Sequence, residues 1–258
     1  MFRKIRIAVL LLILLAVALN TWTDSIITTS WNAPMTVALY PIAADESEVT
    51  QRFLASLKQT DFDPLENFFQ AESAEYGVQV ERPLRFTLAP ILKSQPPQRP
   101  ESRNILSVMW WSLRLRWWSW REVPKAPGPT PRIRMFLIYN DPGKVTVLNH
   151  STALKKGLLG LAYLFADTRE QGSNLTVIAH ELLHTVGATD KYDPGTGQPA
   201  VPDGLAEPDK TPLYPQRYAE LMGGRIATSS TRAEIPKSLS QVLVGPATAA
   251  EIGWLKKQ

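Results

Sequence analysis

Residues 180–190 read HELLHTVGATD, and three of them can act together. His180 and His184 are four apart, so on a helix both imidazoles leave one face, a turn from each other. Neutral ring nitrogens at that spacing suit Zn²⁺, which takes each at about 2.0–2.1 Å. Glu181 lies about 100° further round, where a carboxylate can act as base to the water that zinc activates without becoming a ligand. The flanking Leu175, Val177, Ile178, Ala179, Leu182, Leu183 and Val186 are apolar. Three ionisable groups in a helix built for burial are costly unless a metal compensates them. At this composition an H-E-x-x-H string arises by chance in roughly two chains in a thousand, and Gly187 three residues on makes it rarer. The bland alternative is a buried helix whose histidines are merely hydrogen-bonded.

A catalytic zinc ion takes three protein ligands and keeps one position open. The chain has 3 His and no Cys, so the third ligand is His150 or an acid. Gly187 can end the helix in a left-handed turn that swings Asp190 back toward the histidines. Asp193, by a small change in that turn, and Glu207 or Glu220, further along, are rivals. Glu207 sits in a Pro-broken segment, LAEPD, that does not read as helix. His150 reads as an exposed or cleft-lining residue.

The pattern H-E-x-x-H-x-x-G-x-x-D resembles the metzincin zinc peptidases, closest to the snapalysin-like variant with Asp as third ligand. The resemblance implies a zincin fold, one catalytic zinc ion on His180, His184 and Asp190, and Glu181 as general base. It also implies a Met-turn beneath the metal, which Ala219-Glu220-Leu221-Met222-Gly223-Gly224 matches, with Met222 as apolar floor and Gly187 as the supporting bend. Astacin- and serralysin-like members place a Tyr two residues after the Met. Here that position is Gly224, so a tyrosine ligand is not implied.

Gly187 to Gln216 carries six prolines and little periodicity. Loops of that length tend to be functional or disordered, and Lys191–Gln216 reads as a wall or rim of the cleft. Tyr192, Tyr214 and Tyr218 are candidates for stabilising an oxyanion there. Asp193, Asp203 and Asp209 offer a weaker Ca²⁺ possibility without EF-hand spacing.

The elements that must position this site are mixed, which predicts an α+β (α/β layered) domain with a mixed twisted sheet. Strands are expected over 35–42, 84–92, 133–139, 144–148 and 157–165. A helix over 45–76 is kinked or broken at Pro64. The active-site helix spans 174–186, N-capped by Asn174 or Ser173, and a last helix covers 246–256. Residues 23–258 read as one domain, with 35–186 its upper part and 187–258 its lower part.

The N-terminus reads as an address. Arg3, Lys4 and Arg6 precede an apolar run of 13 residues, Ile7 to Leu19. That is short for a span of about 20 residues and suits a signal peptide cleaved near Ala18. Asn20 to Trp22 could instead complete a signal-anchor over 7–22. Either way residues 23–258 are expected outside the cytoplasm, secreted or membrane-anchored on the periplasmic or exterior side. The net charge is +4, and the three N-terminal cations account for all but +1 of it. That leaves no basic face for nucleic acid.

Five of the eight Trp fall between Trp110 and Trp120. At helical spacing Leu106, Met109, Trp110, Leu113, Trp117 and Trp120 fill one arc of about 100°, with Ser107, Arg114 and Arg121 on another side. Residues 105–121 are therefore a helix packed on the sheet, a helix lying on a bilayer surface, or a β-ribbon. The expected function is an exported zinc peptidase acting on peptide or protein. Its rivals are a membrane-associated envelope protein with a structural or inactive metal site acting through the Trp-rich helix, and a hydrolase of non-peptide amides.

Overall fold

Apolar runs as continuous as VALYPI and MFLIY belong to strands covered on both faces. The computed structural model, which describes residues 6, 29–100, 104–124, 130–154 and 158–255, places them at the centre of a five-stranded sheet. Its strands are β1 (Met35–Ala43), β2 (Leu84–Leu88), β3 (Ile133–Asn140), β4 (Thr152–Leu154) and β5 (Leu159–Phe165), in the order β2-β1-β3-β5-β4. β1, β2, β3 and β5 are parallel, and β4 closes one edge antiparallel to β5. Five helices are described: α1 (Glu48–Ser56), α2 (Asp63–Glu75), α3 (Ile105–Glu122), α4 (Gln171–Val186) and α5 (Pro246–Ile252). Two-residue strands β6 (Ala219–Glu220) and β9 (Val242–Leu243) pair with each other, as do β7 (Ile226–Ala227) and β8 (Ala233–Glu234). The class is mixed α+β, as expected.

The alternation of the strands builds two cores. Val37, Leu39, Met135, Leu137 and Tyr139 face α1, α2 and α4, meeting Phe53, Leu65, Phe69, Ile178 and Leu182. Ala38, Tyr40, Ile42, Phe136, Ile138 and Leu161 face the other way, onto Trp111, Leu115 and Trp118 of α3. The sheet is thus sandwiched, with the HExxH helix on one side and the Trp-rich helix on the other.

Several local expectations need correction. The helix expected over 45–76 is two, separated by a 3₁₀ turn at Gln59–Phe62, with Pro64 in the first turn of α2 where its missing N–H costs nothing. No strand forms at 144–148. The chain turns there through Lys144 and Val145 N–H bonds to the Asp141 carbonyl at 3.0 and 3.1 Å, and β4 follows at Thr152. α4 begins three residues before Asn174, so neither Ser173 nor Asn174 caps it. Buried Asn174 instead accepts from the Phe165 N–H at 3.1 Å and donates to its carbonyl at 2.9 Å, fastening α4 to the end of β5. α5 stops at Gly253, left-handed at φ 85°, short of residue 256. The proposed signal or anchor, residues 7–22, lies outside the described residues.

Candidate metal centre

α4 ends where the sequence requires. Gly187 takes φ 118°, ψ 4°, and its N–H bonds the Leu183 carbonyl at 3.0 Å while Ala188 N–H bonds the same oxygen at 3.0 Å. The left-handed residue reverses the chain and brings Asp190 over the histidines. Asp190 Oδ1 lies 3.1 Å from His180 Nε2 and 3.0 Å from His184 Nε2, and the two Nε2 atoms are 3.2 Å apart. Ligands of a tetrahedral zinc ion at 2.0–2.1 Å stand about 3.3 Å from one another. The three atoms already form one face of such a tetrahedron.

The proton positions suit this group to a cation. His180 Nδ1 is 2.8 Å from the Leu221 carbonyl, and His184 Nδ1 is 2.9 Å from the Ala188 carbonyl. A carbonyl only accepts, so each Nδ1 carries the hydrogen and each Nε2 of a neutral ring presents a bare lone pair. Two such lone pairs and a carboxylate oxygen then face each other. A proton on one ring satisfies that ring's contact with Asp190 and leaves the other ring's bare nitrogen against the same oxygen. A divalent cation satisfies all three.

Glu181 stands beside them, 6% exposed, with Oε2 buried and without a hydrogen-bond partner. Ligand atoms of His180, Glu181 and His184 all lie within 4.8 Å of one another. Burial pushes the Glu181 carboxyl up, with His180 and His184 opposing. Burial also works to raise Asp190, but its bonds to both histidines prevail and hold it well below the usual carboxylate range. Burial alone would lower His180. The bond to Asp190 and the charge of Glu181 outweigh that and raise it. A bound divalent ion would be the largest local charge and would reset all three.

The rival ligands are occupied elsewhere. Asp193 Oδ1 accepts from Gly195 N–H, Thr196 N–H and the Thr196 hydroxyl at 2.8–3.0 Å. Glu207 pairs with Arg217, Oε1 to Nη2 at 2.6 Å. Glu220 is fully buried and accepts from Gly223 N–H, Gly245 N–H and the Thr248 hydroxyl. His150 is exposed and does not line the cleft, although the next residue, Ser151, does. Asp193, Asp203 and Asp209 form no converging group among the described residues, so nothing gathers there for Ca²⁺.

The Met222 segment supports the site from below. Met222 is fully buried, its carbonyl accepts from Lys191 N–H at 2.9 Å, and the preceding Leu221 carbonyl fixes the His180 ring. Gly223 is obligatory, because a Cβ there would lie 2.2 Å from the Gly204 carbonyl oxygen. Of the three tyrosines only Tyr192 lines the cleft, its ring centroid 6.3 Å from that of His180. Burial raises its phenol, followed by the charges of Asp190 and Glu181 and a hydrogen bond to Asp190. Tyr214 and Tyr218 are not in the lining, and Tyr218 lies under the Arg217 guanidinium on the surface. Nor is Lys191–Gln216 a cleft wall, since Tyr192 alone of that stretch reaches the cleft.

Sequence reasoning missed the opposite rim. The cleft, about 470 Å³, is bounded there by Ser151, by Thr152 and Ala153 of β4, and by Arg99, which donates to the Thr152 hydroxyl at 2.8 Å. Arg99 also favours the ionised form of Glu181. It comes from the Pro-rich connector, where nothing in the local spacing marks it. Glu251 of α5 was missed as well. Its carboxylate accepts from Thr189 N–H at 2.8 Å, the Thr189 hydroxyl at 2.7 Å and the buried Lys191 ammonium at 2.7 Å, bracketing Asp190 on both sides. Glu251→Ala leaves that ammonium with the Thr189 carbonyl but without its counter-charge, and is expected to cost about 1–3 kcal/mol, read as a lowered melting temperature. Glu251→Gln should fall between it and the parent chain.

The chain matches no protein-family model and no curated protein.

Proposed function

We propose that this protein is a zinc-dependent hydrolase of metzincin type, with His180, His184 and Asp190 holding the ion and Glu181 as general base. More particularly, it is a peptidase. The observation that carries the reading is the convergence of three bare ligand atoms at tetrahedral spacing beside a buried, unpartnered carboxylate in an open cleft. The unpartnered Glu181 Oε2 fits a site that handles protons, and a purely structural zinc site would close its fourth position with protein.

When bound, zinc lowers the pKa of water and polarises a carbonyl. Glu181, beside the two histidines, takes a proton from the attacking water and returns it to the departing nitrogen. Asp190 and the two Nδ1–H bonds fix the ligand orientation. Tyr192, beside His180, is the phenol placed to meet negative charge growing on a carbonyl oxygen. Support for a peptide substrate comes from β4, whose outer edge has no strand partner among the described residues and borders the cleft. An extended chain can add to such an edge through backbone hydrogen bonds.

The test is metal analysis of the purified chain together with hydrolysis of a casein substrate before and after chelation. About one zinc per chain, activity lost on chelation and restored by Zn²⁺ is the expected result. Hydrolysis untouched by chelation would end the proposal.

A further inference from the structure

α3 turns its most apolar arc away from the protein. The helix packs on the sheet through Trp111, Leu115 and Trp118, all under 10% exposed. At about 100° per residue these centre on one side, and Leu106, Met109, Trp110, Leu113, Trp117 and Trp120 centre about 160° away. Those six are 55–76% exposed. With Ile105, α3 supplies half of the large exposed apolar side chains among the described residues. A continuous apolar patch of this kind marks a contact surface.

The borders of the arc identify the contact. Arg116 flanks one side, and Arg114 and Arg121 flank the other, all three exposed. Arg121 lies 5.3 Å over the Trp117 ring, with its Nε 3.3 Å from Glu122, the one acid of the helix. Apolar and indole side chains along a ridge with guanidinium groups on both flanks suit the headgroup boundary of a bilayer containing anionic lipid. Indoles favour that boundary, and arginine stems can carry their charge to the phosphates. A second copy fits less well, because α3 holds one acid against three flanking arginines, and a two-fold pairing of these faces sets arginine flank against arginine flank.

We propose that the outer face of α3 is a docking surface for anionic membrane, with the helix lying in the interface plane. Among the described residues no helix is long and apolar enough to cross a membrane, so this contact is superficial. It is independent of the hydrolase reading. The sheet separates α3 from the HExxH helix, so the docked face and the cleft do not compete.

The chain has no Cys, which allows a single label. The full chain carrying Leu113→Cys with an environment-sensitive fluorophore is reconstituted with phosphatidylcholine vesicles, with and without phosphatidylglycerol. A second sample is labelled at Ser230→Cys on an exposed turn. A blue shift at position 113, quenched by brominated lipid, is expected in the anionic vesicles and not at position 230. It should weaken in the neutral vesicles, at high salt, and when Arg114→Glu and Arg116→Glu are added. The proposal is overturned if position 113 reports water in anionic vesicles. It is equally overturned if the label is shielded but not quenched by brominated lipid. Shielding that grows with protein concentration would then point to a second copy, and concentration-independent shielding to residues 7–19 of the same chain.

Discussion

Glu181→Gln should leave zinc bound and lower peptide hydrolysis about 10²–10⁴-fold, some 3–5 kcal/mol of barrier. The substitution is nearly isosteric and removes only the ability to take a proton. Glu181 Oε2 has no partner to lose, and an amide in place of a buried carboxyl asks for no more solvation, so the fold should be affected little. The ligand atoms of His180, His184 and Asp190 are untouched. Activity and stability therefore separate, which is the signature of a base as opposed to a packing residue. Zinc content and melting temperature close to those of the parent chain, with hydrolysis lost, is the expected outcome. Hydrolysis within a few-fold of the parent would remove Glu181 from the reaction, and loss of zinc with activity would make it a ligand.

What could be read in advance followed the range of the interactions. HExxH with Gly187 and Asp190 was legible because the geometry is local: a helical turn sets two imidazoles side by side, and one left-handed residue reverses the chain. The parallel strands were legible because burial on both faces leaves long apolar runs. The orientation of α3 was not. It carries two apolar stripes on opposite sides, Trp111-Leu115-Trp118 and the larger Trp110-Leu113-Trp117 arc, and periodicity cannot say which meets the sheet. Asn174 has the chemistry of a cap, yet its amide finds better partners in the Phe165 backbone, a choice made by the sheet. Arg99 and Glu251 reach the site from parts of the chain some 80 residues before and 60 after it, so no spacing rule could point to them. Tyr214 and Tyr218 failed for the complementary reason: nearness in sequence to the Met-turn did not bring them to the cleft.

Asp190→Ala should weaken zinc binding by at least about 100-fold, more than loss of a group that only orients a ligand costs, and hydrolysis should go with it. Two histidines alone leave the ion half-coordinated. No other acid can replace Asp190 without dismantling something, because Asp193 holds its own turn, Glu207 is paired with Arg217, and Glu220 is enclosed by three donors. The turn itself should survive, since Gly187 and the Glu251 bonds to Thr189 and Lys191 do not involve the Asp190 side chain. This separates ligand loss from misfolding by a second reading. A ligand that binds only the folded state raises stability by RT ln(1 + [L]/Kd). Added Zn²⁺ should therefore raise the melting temperature of the parent chain, with little response from Asp190→Ala. Asp190→Asn sharpens the comparison, because it keeps the shape and an oxygen but gives up the charge that offsets the ion. Its zinc response should lie between the two. If Asp190→Ala kept full zinc content and the full thermal response, the ion would have to sit on other atoms than these three.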